Sequence, residues 1–464
     1  MREDIQDIYP LSPIQQGILF HGLHNPEMAL YHMHNVYVCQ GNLNIAAFKQ
    51  ALQLLSDVHS VLRTSFYWEE LDNPLQVVHE QVEVLLEYDD WRKIASSEQE
   101  KKLRLLLKED RSRGFDFSQV PLIRPILIQT GDDTYYFVFV WHLIIIDGWS
   151  FPILLADLVR IYEALSQNQN VPQLPKSHFG EYIDWLQQKN TSKSQAEDFW
   201  REQLKGVKQP TPLHNLYSQN LANQEERYED LQISLSTTTT QNLEMLAKQS
   251  RTTMSTFVQG AWGILTSYYS GKNKILYGCT FSGRPVDLKN SGLMIGEMVN
   301  TLPVNLEVDL NDELLPWLQK LQMKLVEIRE YEYFPLLDIQ KCSELPSNQS
   351  LFDSFVVFEN QRDDKLLQEY SSLDIYPYIS SYKTNYPFTI VGYPSSELTI
   401  GINYDFNLID ALTVTNILEH FKILLEGMVS KPQTTINELL LLINQKTHPD
   451  LLLLEKEMSL NFQS

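Results

Sequence analysis

The stretch "PLIRPILIQTGDDTYYFVFVWHLIIIDGWS", residues 121–150, decides how this chain is read. Two β-rich runs flank Gly131-Asp132-Asp133, which marks a hairpin. The second run, about 135–146, is the longest apolar stretch of the chain. It is too short to span a bilayer, and its aromatic and β-branched content suits a central strand. On this reading the strand runs to about Ile146, Asp147-Gly148 turns the chain, and "SFPILLADLVRIYEALSQ" opens an amphipathic helix with Ser150 as its N-cap. Strand, turn and helix in succession indicate an α/β fold. The ends of such strands face the crevices where ligands bind. His142 and Asp147 stand in otherwise apolar surroundings, where charged groups need partners. A histidine there can take a proton from a nucleophile, and an aspartate can orient it or pair with a buried arginine. Equally, His142 can be a satisfied core histidine and Asp147 a helix cap. These residues alone leave both readings open.

Working outward, "ALYHMHNVYVCQGN" (29–42) reads as a strand that turns at Gly41-Asn42, and the spacing predicts a helix from about Ile45 to Leu62. "LQVVHEQVEVLLEY" (75–88) is strand-like, and "SSEQEKKLRLLLKED" (96–110) is a helix with a serine cap and a charged outer face. Two polar, proline-punctuated stretches follow, at 168–176 and 209–226. The alternation then resumes with strands near 231–235, 274–283, 300–308, 352–360, 388–394 and 397–406. Helices are predicted at 240–250, 255–270, 314–332 and 411–430. Each half mixes strands with long helices, so the pattern predicts two α/β sandwich domains with a boundary between about 168 and 226. There is no short-period repeat. The leucine-rich tail after Pro432 reads as a linker or a last helix.

At 464 residues the chain exceeds what a single core usually supports, and 43% apolar with 21% charged residues is the composition of a globular protein. The net charge of −22, with no basic stripe, argues against nucleic acid and anionic membranes as partners. Three cysteines, Cys39, Cys279 and Cys342, lie far apart and form no CxxC, which argues against a disulfide framework or a zinc site and fits a reducing cytoplasm. The polar N-terminus is not a signal peptide. "HGLH" (21–24) is too short a signal for a metal pair, and His21, His24 and His178 read as surface or packing residues.

Residues 141–150 resemble the HHxxxDG signature of condensation domains of nonribosomal peptide synthetases, a family of the chloramphenicol acetyltransferase-like superfamily. Other stretches match that family in order. "YPLSPIQQGILFHGL" (9–23) resembles its opening motif and "FGEYIDWL" (179–186) its fourth. "SGRPVDL" (282–288) and "MIGEMVNTLPV" (294–304) resemble SGRP and IGxFxNTLPxR elements. "LFDSFVVFEN" (351–360) and "YDFNLID" (404–410) resemble the two closing segments. The resemblance implies two acetyltransferase-like α/β sandwich subdomains, a V-shaped pseudodimer with a central tunnel. Its parts would be residues 1–171, a connecting segment 172–218, and 219–464. It implies donor and acceptor carrier proteins as partners, and adjacent synthetase domains beside them. Each carrier brings an acyl group on its own phosphopantetheine arm, with no metal or cofactor held by this chain. The product would be an amide, made by a cytoplasmic monomer. Residues 1–10 resemble the linker that leads into internal domains of the family, and the chain reads as a free-standing protein or an excised domain.

By the same resemblance, the first motif histidine is His142, the aspartate Asp147 and the glycine Gly148. Asp147 is structural and pairs with Arg284, and Gly148 keeps space near the reacting atoms. Trp149, Ser150 and Asn300 are candidates to line the tunnel. The second histidine, the residue usually given proton transfer or nucleophile positioning, is here Leu143, which can neither accept nor donate a proton. Side chains alternate along a strand, so if Leu143 faces the tunnel, His142 faces away. The chain is then either a condensation domain with an atypical site, or a silent member that docks carriers without joining their cargo.

Overall fold

The computed structural model describes residues 4–174, 178–189, 193–218, 228–346, 349–359, 371–381 and 386–447. The later part of the expected connecting loop, at 219–226, and the leucine-rich tail beyond Thr447 lie outside the described residues. The chain forms two compact units. The first takes Met1–Lys193, Ser282–Asn300 and Gln361–Asn385, and the second takes Ser194–Phe281, Thr301–Asn360 and Tyr386–Ser464. A single cut into 1–171 and 219–464 therefore misplaces two insertions: the later half of the chain lends the first unit the loop that carries Arg284 and a strand near residue 375.

In the first unit, β1 (Ile5–Pro10) leads into α1 (Pro13–His24), followed by β2 (His32–Gln40) and α2 (Ile45–Val58). Next come β3 (Thr64–Tyr67), β4 (Leu75–His79), β5 (Glu87–Asp90) and α3 (Ser96–Arg113). The hairpin β6 (Ile123–Gln129) and β7 (Thr134–His142) precedes α4 (Ser150–Ser166) and α5 (Phe179–Lys189). The second unit begins with α6 (Lys193–Gln203), β8 (Tyr228–Ser234), α7 (Thr237–Gln249), α8 (Met254–Ser270) and β9 (Lys274–Phe281). It continues through β10 (Asn300–Glu307), α9 (Leu314–Arg329), α10 (Leu336–Lys341) and β11 (Ser354–Phe358). β12 (Asp374–Ser381) returns to the first unit. Then β13 (Phe388–Tyr393), β14 (Thr399–Asp405), α11 (Ala411–Ser430) and α12 (Ile436–Thr447) complete the second. No described helix is long and apolar enough to cross a membrane.

The first unit's main sheet has the order β12-β2-β7-β6-β5, antiparallel except for the parallel β5–β6 pair, and β1-β4-β3 form a small sheet of their own. β7 lies at its centre and is covered on both faces, which is why its sequence reads as a continuous apolar run. Phe137, Phe139 and Trp141 point to the α2/α4 side, where Phe137 meets Phe48 and Trp141 stacks on Phe151 at 5.1 Å. Val138 and Val140 point to the α3 side and pack with Val36, Leu103 and Leu107. Each fully buried side chain of this size contributes about 1.5–3 kcal/mol.

β7 stops at His142, four residues short of the expected end. Ile145 donates its amide to the His142 carbonyl, so residues 143–145 form a turn. Ile144, Ile145 and Ile146 are buried all the same, and an apolar buried turn cannot be told from strand by composition. The predicted helix to Leu62 breaks at His59, whose extended backbone ends α2 and whose ring pairs with Asp157 at 3.0 Å. α3 starts from Ala95 with no side-chain cap, so the expected serine cap does not form.

In the second unit the sheet order is β10-β9-β11-β13-β14-β8, with β9, β11 and β13 parallel. α8 lies close on its neighbours: a Cβ on Gly260 would meet Leu318 at 2.5 Å, and one on Gly263 would meet Leu306 at 2.8 Å. Trp262, Trp317 and Tyr277 centre the core, and the leucine-rich tail begins with α12.

Candidate active site

The residues singled out at 142–150 fall on the turn between β7 and α4, in the first unit. Asp147 is fully buried, and both of its carboxylate oxygens are taken. Arg284 donates to Oδ2 at 2.7 Å and to Oδ1 at 2.8 Å, a two-pronged pairing that suits a planar guanidinium. The Ser150 amide donates to Oδ1 at 2.7 Å and the Met298 amide to Oδ2 at 3.0 Å. Arg284 spends its remaining terminal donors on the Ser282 carbonyl and the Ser150 hydroxyl, at 2.6 and 2.8 Å. Asp147 thus caps the first turn of α4 and anchors the 282–300 loop at once.

Ser150 is not the N-cap of α4. Trp149 holds that position without a side-chain bond, and the Ser150 hydroxyl instead donates to the Gly296 carbonyl and accepts from the Gly296 amide, each at 3.0 Å. With no exposed surface, Ser150 belongs to this polar core and lines no opening. Trp149 is half-buried, and its indole donates to the Gly292 carbonyl at 3.1 Å. Gly148 is exposed, and Asn300 is buried at the start of β10.

Two glycines let the loop approach. Gly283 has φ +63°, and a Cβ there would sit 1.7 Å from the Met298 carbonyl oxygen. A Cβ on Gly296 would sit 2.1 Å from the ring of Phe179, the first residue of α5. The stretches 179–186, 282–288 and 294–304 therefore meet at one place, beside 147–150. The opening stretch joins them: Gln15, held in a capping box by Ser12, donates to the Ile144 carbonyl at 2.9 Å.

His142 sits on the α3 face of the sheet, with its ring against Phe117 and Phe115 at centroid distances of 4.9 and 5.9 Å. Its Nδ1 accepts the Ile144 amide at 3.2 Å. Burial, helped by the nearby His32, lowers its pKa to about 3, so the ring is neutral at physiological pH. Leu143 is half-buried in the turn, and its amide donates to the Tyr31 carbonyl at 3.0 Å.

Around His142 lies a second buried cluster that sequence reading missed. His32 pairs with His142 in the β2–β7 ladder. His32 and His34, two residues apart and hence on one face, both reach Asp110 Oδ2, at 2.9 and 2.8 Å. Arg124 donates to Oδ1 at 2.6 Å, and Arg111 bonds His34 Nδ1 at 3.0 Å. His32, His34 and Asp110 offer the donor types of a metal site, all within 4.8 Å of one another. Their electrostatics are nevertheless those of an ion pair, because Arg124 already supplies the positive charge. Burial works against ionising Asp110, but the bonds from both histidines and Arg124 outweigh it and hold the carboxyl well below the usual range. Burial lowers His34 to about 4 and lowers His32 as well, against the pull of Asp110.

Residues 5–451 match the condensation-domain family. The chain belongs to that family. The condensation domain is 38% identical to a linear gramicidin synthase polypeptide of Brevibacillus parabrevis, over 94% of its own length and 9% of that protein. It is 28% identical to the third surfactin synthase polypeptide of Bacillus subtilis, over 94% of its length and 34% of the relative. It thus spans about a third or less of these relatives. Among solved structures, a starter condensation domain of rhizomide synthetase matches with a TM-score of 0.81 at 17% identity, covering 93% of this chain and 96% of that one. The X-domain from teicoplanin biosynthesis matches with a TM-score of 0.77 at 20% identity, covering 94% and 97%. At such identities these structures establish the fold, which is the chloramphenicol acetyltransferase-like α/β class that the motifs implied.

Proposed function

We propose that this condensation domain joins a donor acyl thioester to an acceptor amine by positioning them, without an imidazole at residue 143. The observation that carries this reading is the complete Asp147–Arg284–Ser150 assembly, built around a turn whose usual histidine is leucine. Both substrates would arrive on the phosphopantetheine arms of carrier proteins, in the cytoplasm, with neighbouring synthetase domains supplying them and the domain itself acting as a monomer.

The chemistry tolerates the loss. Attack of a neutral amine on the thioester carbonyl forms the C–N bond and breaks the C–S bond. The nitrogen sheds one proton and the departing thiolate takes one up, so no proton is left over. A thiol of pKa about 8.5 is a good leaving group. Positioning alone can supply about 7–11 kcal/mol of the barrier, whereas a general base adds about 10²–10⁴-fold. His142 is a poor replacement base, since a ring of pKa about 3 barely accepts a proton and is packed between Phe115 and Phe117.

Leu143 favours a second reading, a domain that docks carriers and leaves their cargo unjoined. The test is to load donor and acceptor carriers with aminoacyl groups, add the protein, and follow the intact carriers by mass spectrometry. The positioning reading expects the dipeptidyl carrier to form faster than with the carriers alone, and faster again with Leu143→His. Turnover by Leu143→His only, with the natural protein silent, establishes the docking reading.

A further inference from the structure

Glu297 lies in the same stretch that closes over Asp147, and it is 1% exposed. Among the described residues, its Oε2 has no hydrogen-bond partner. Its other support is the amide of Val299, two residues along. The charged groups that reach it are Asp147, from the turn ahead of α4, and Arg284, from the loop after β9. α5 presents uncharged groups to this segment: the ring of Phe179 against Gly296, and the Tyr182 hydroxyl, which donates to the Met298 carbonyl at 3.5 Å.

The count of charges is uneven. Two carboxyls share one guanidinium, and that guanidinium is already committed. Its terminal nitrogens donate to both oxygens of Asp147, to the Ser282 carbonyl and to the Ser150 hydroxyl. Among the described residues only its Nε is left without a partner, and its ion pair is with Asp147 and not with Glu297. A buried carboxylate without a paired counter-ion takes up a proton instead. Burial first, and the Asp147 charge second, push the Glu297 carboxyl well above its ordinary range, and Arg284 and the Val299 amide only partly offset them.

We propose that Glu297 is a proton-controlled catch: as a neutral acid it lets residues 294–300 close on the Asp147–Arg284 pair, and as an anion it competes for Arg284 and loosens that closure. The bond most exposed to this competition is the one from the Met298 amide to Asp147 Oδ2, one residue away. The closure in turn holds Ser150 and the start of α4. The inference concerns the fold of the first unit and stands whether or not the chain forms amides.

The direction follows from linkage. The folded chain keeps the Glu297 proton over a range in which the unfolded chain, with a carboxyl near 4.3, has lost it. Glu297 therefore leaves stability untouched below that value and reduces it progressively as pH rises. Glu297→Gln keeps the shape of the neutral acid and cannot ionise. Urea unfolding of the full chain, natural and Glu297→Gln, between pH 5 and pH 8.5 tests the point. The variant should lead by no more than about sixfold in folding equilibrium constant at pH 5, and that lead should grow at least about tenfold further by pH 8.5. Hydrogen exchange of peptides covering 294–300 should show the natural chain opening more at pH 8.5, after correction for intrinsic rates, and the variant not. Glu297→Leu, which also lacks the charge, should match the glutamine variant in its pH dependence, and it serves if glutamine disturbs folding. A stability gap that stays constant from pH 5 to pH 8.5 in both variants overturns the proposal.

Discussion

Two aspartate–arginine pairs of the first unit, Asp110–Arg124 and Asp147–Arg284, are built to different rules. At Asp110 the added groups are histidines. Each can be neutral and still donate, both reach the carboxylate, and two guanidiniums stand by, Arg124 on the carboxylate and Arg111 on His34. At Asp147 the added donors are two backbone amides, and the extra titratable group is a second acid, Glu297, whose Oε2 has no partner among the described residues. The first cluster has a paired cation for its acid. The second is complete around Asp147 and overloaded beside it. A buried ion pair is thus no guide by itself to what a region does, and the proton balance of its neighbours says more.

The sharpest way to break the contrast is to remove a cation. Arg284→Met leaves Asp147 buried and unpaired beside Glu297, and we expect it to lower stability by about 3–5 kcal/mol, read from urea unfolding. A loss under about 1 kcal/mol would show that the pair is dispensable. Asp110→Asn should have a smaller effect, about 2–3 kcal/mol, because Arg124 keeps some contact with water and bonds the Gly114 carbonyl as well.

Acid should strain the Asp110 side. His34 and His142 are held near 4 and near 3, below the value of about 6.5 they take when unfolded. Groups with lowered folded-state pKa values stabilise the fold above their unfolded value and lose that contribution as pH falls through the folded one. Stability should therefore drop between about pH 6.5 and pH 4, by about 3 kcal/mol for each of the two groups. His34→Gln should remove about half of that slope and leave the His142 share, and a variant that keeps the full acid slope would place the effect elsewhere. The smallest effect is expected for Ser150→Ala. Its hydroxyl bonds are lost from a site that keeps the Asp147–Arg284 pairing, which costs about 1–2 kcal/mol.

Part of this molecule is readable from its residues alone. The hairpin turns at 131–133 because Gly-Asp-Asp interrupts two β-rich runs, and the pairing of Asp147 with Arg284 is implied by the family motifs. The end of β7 is not readable, since three buried isoleucines look alike in a turn and in a strand. β12 escapes notice because "DIYPYISS" carries a proline and owes its conformation to β2, some 340 residues earlier. Its ladder shifts register between Pro377 and Ile379, as an edge strand with a missing donor must. The Asp110 cluster is hidden because "LKEDRSR" at 107–113 reads as a solvated helix face, and only the folded sheet brings His32 and His34 over it. Glu297 looks like one more polar residue in a motif, because burial without a counter-ion is not a property of local sequence.

The fit of Phe179 over Gly296, with Gly283 against the Met298 carbonyl, also bears on recombination between relatives. A chimera that exchanges residues 1–193 alone would set one parent's α5 on another parent's 282–300 loop, where a single added methyl group already collides. Inheritance of this unit is discontinuous along the gene, and three separate segments have to travel together for a hybrid to close.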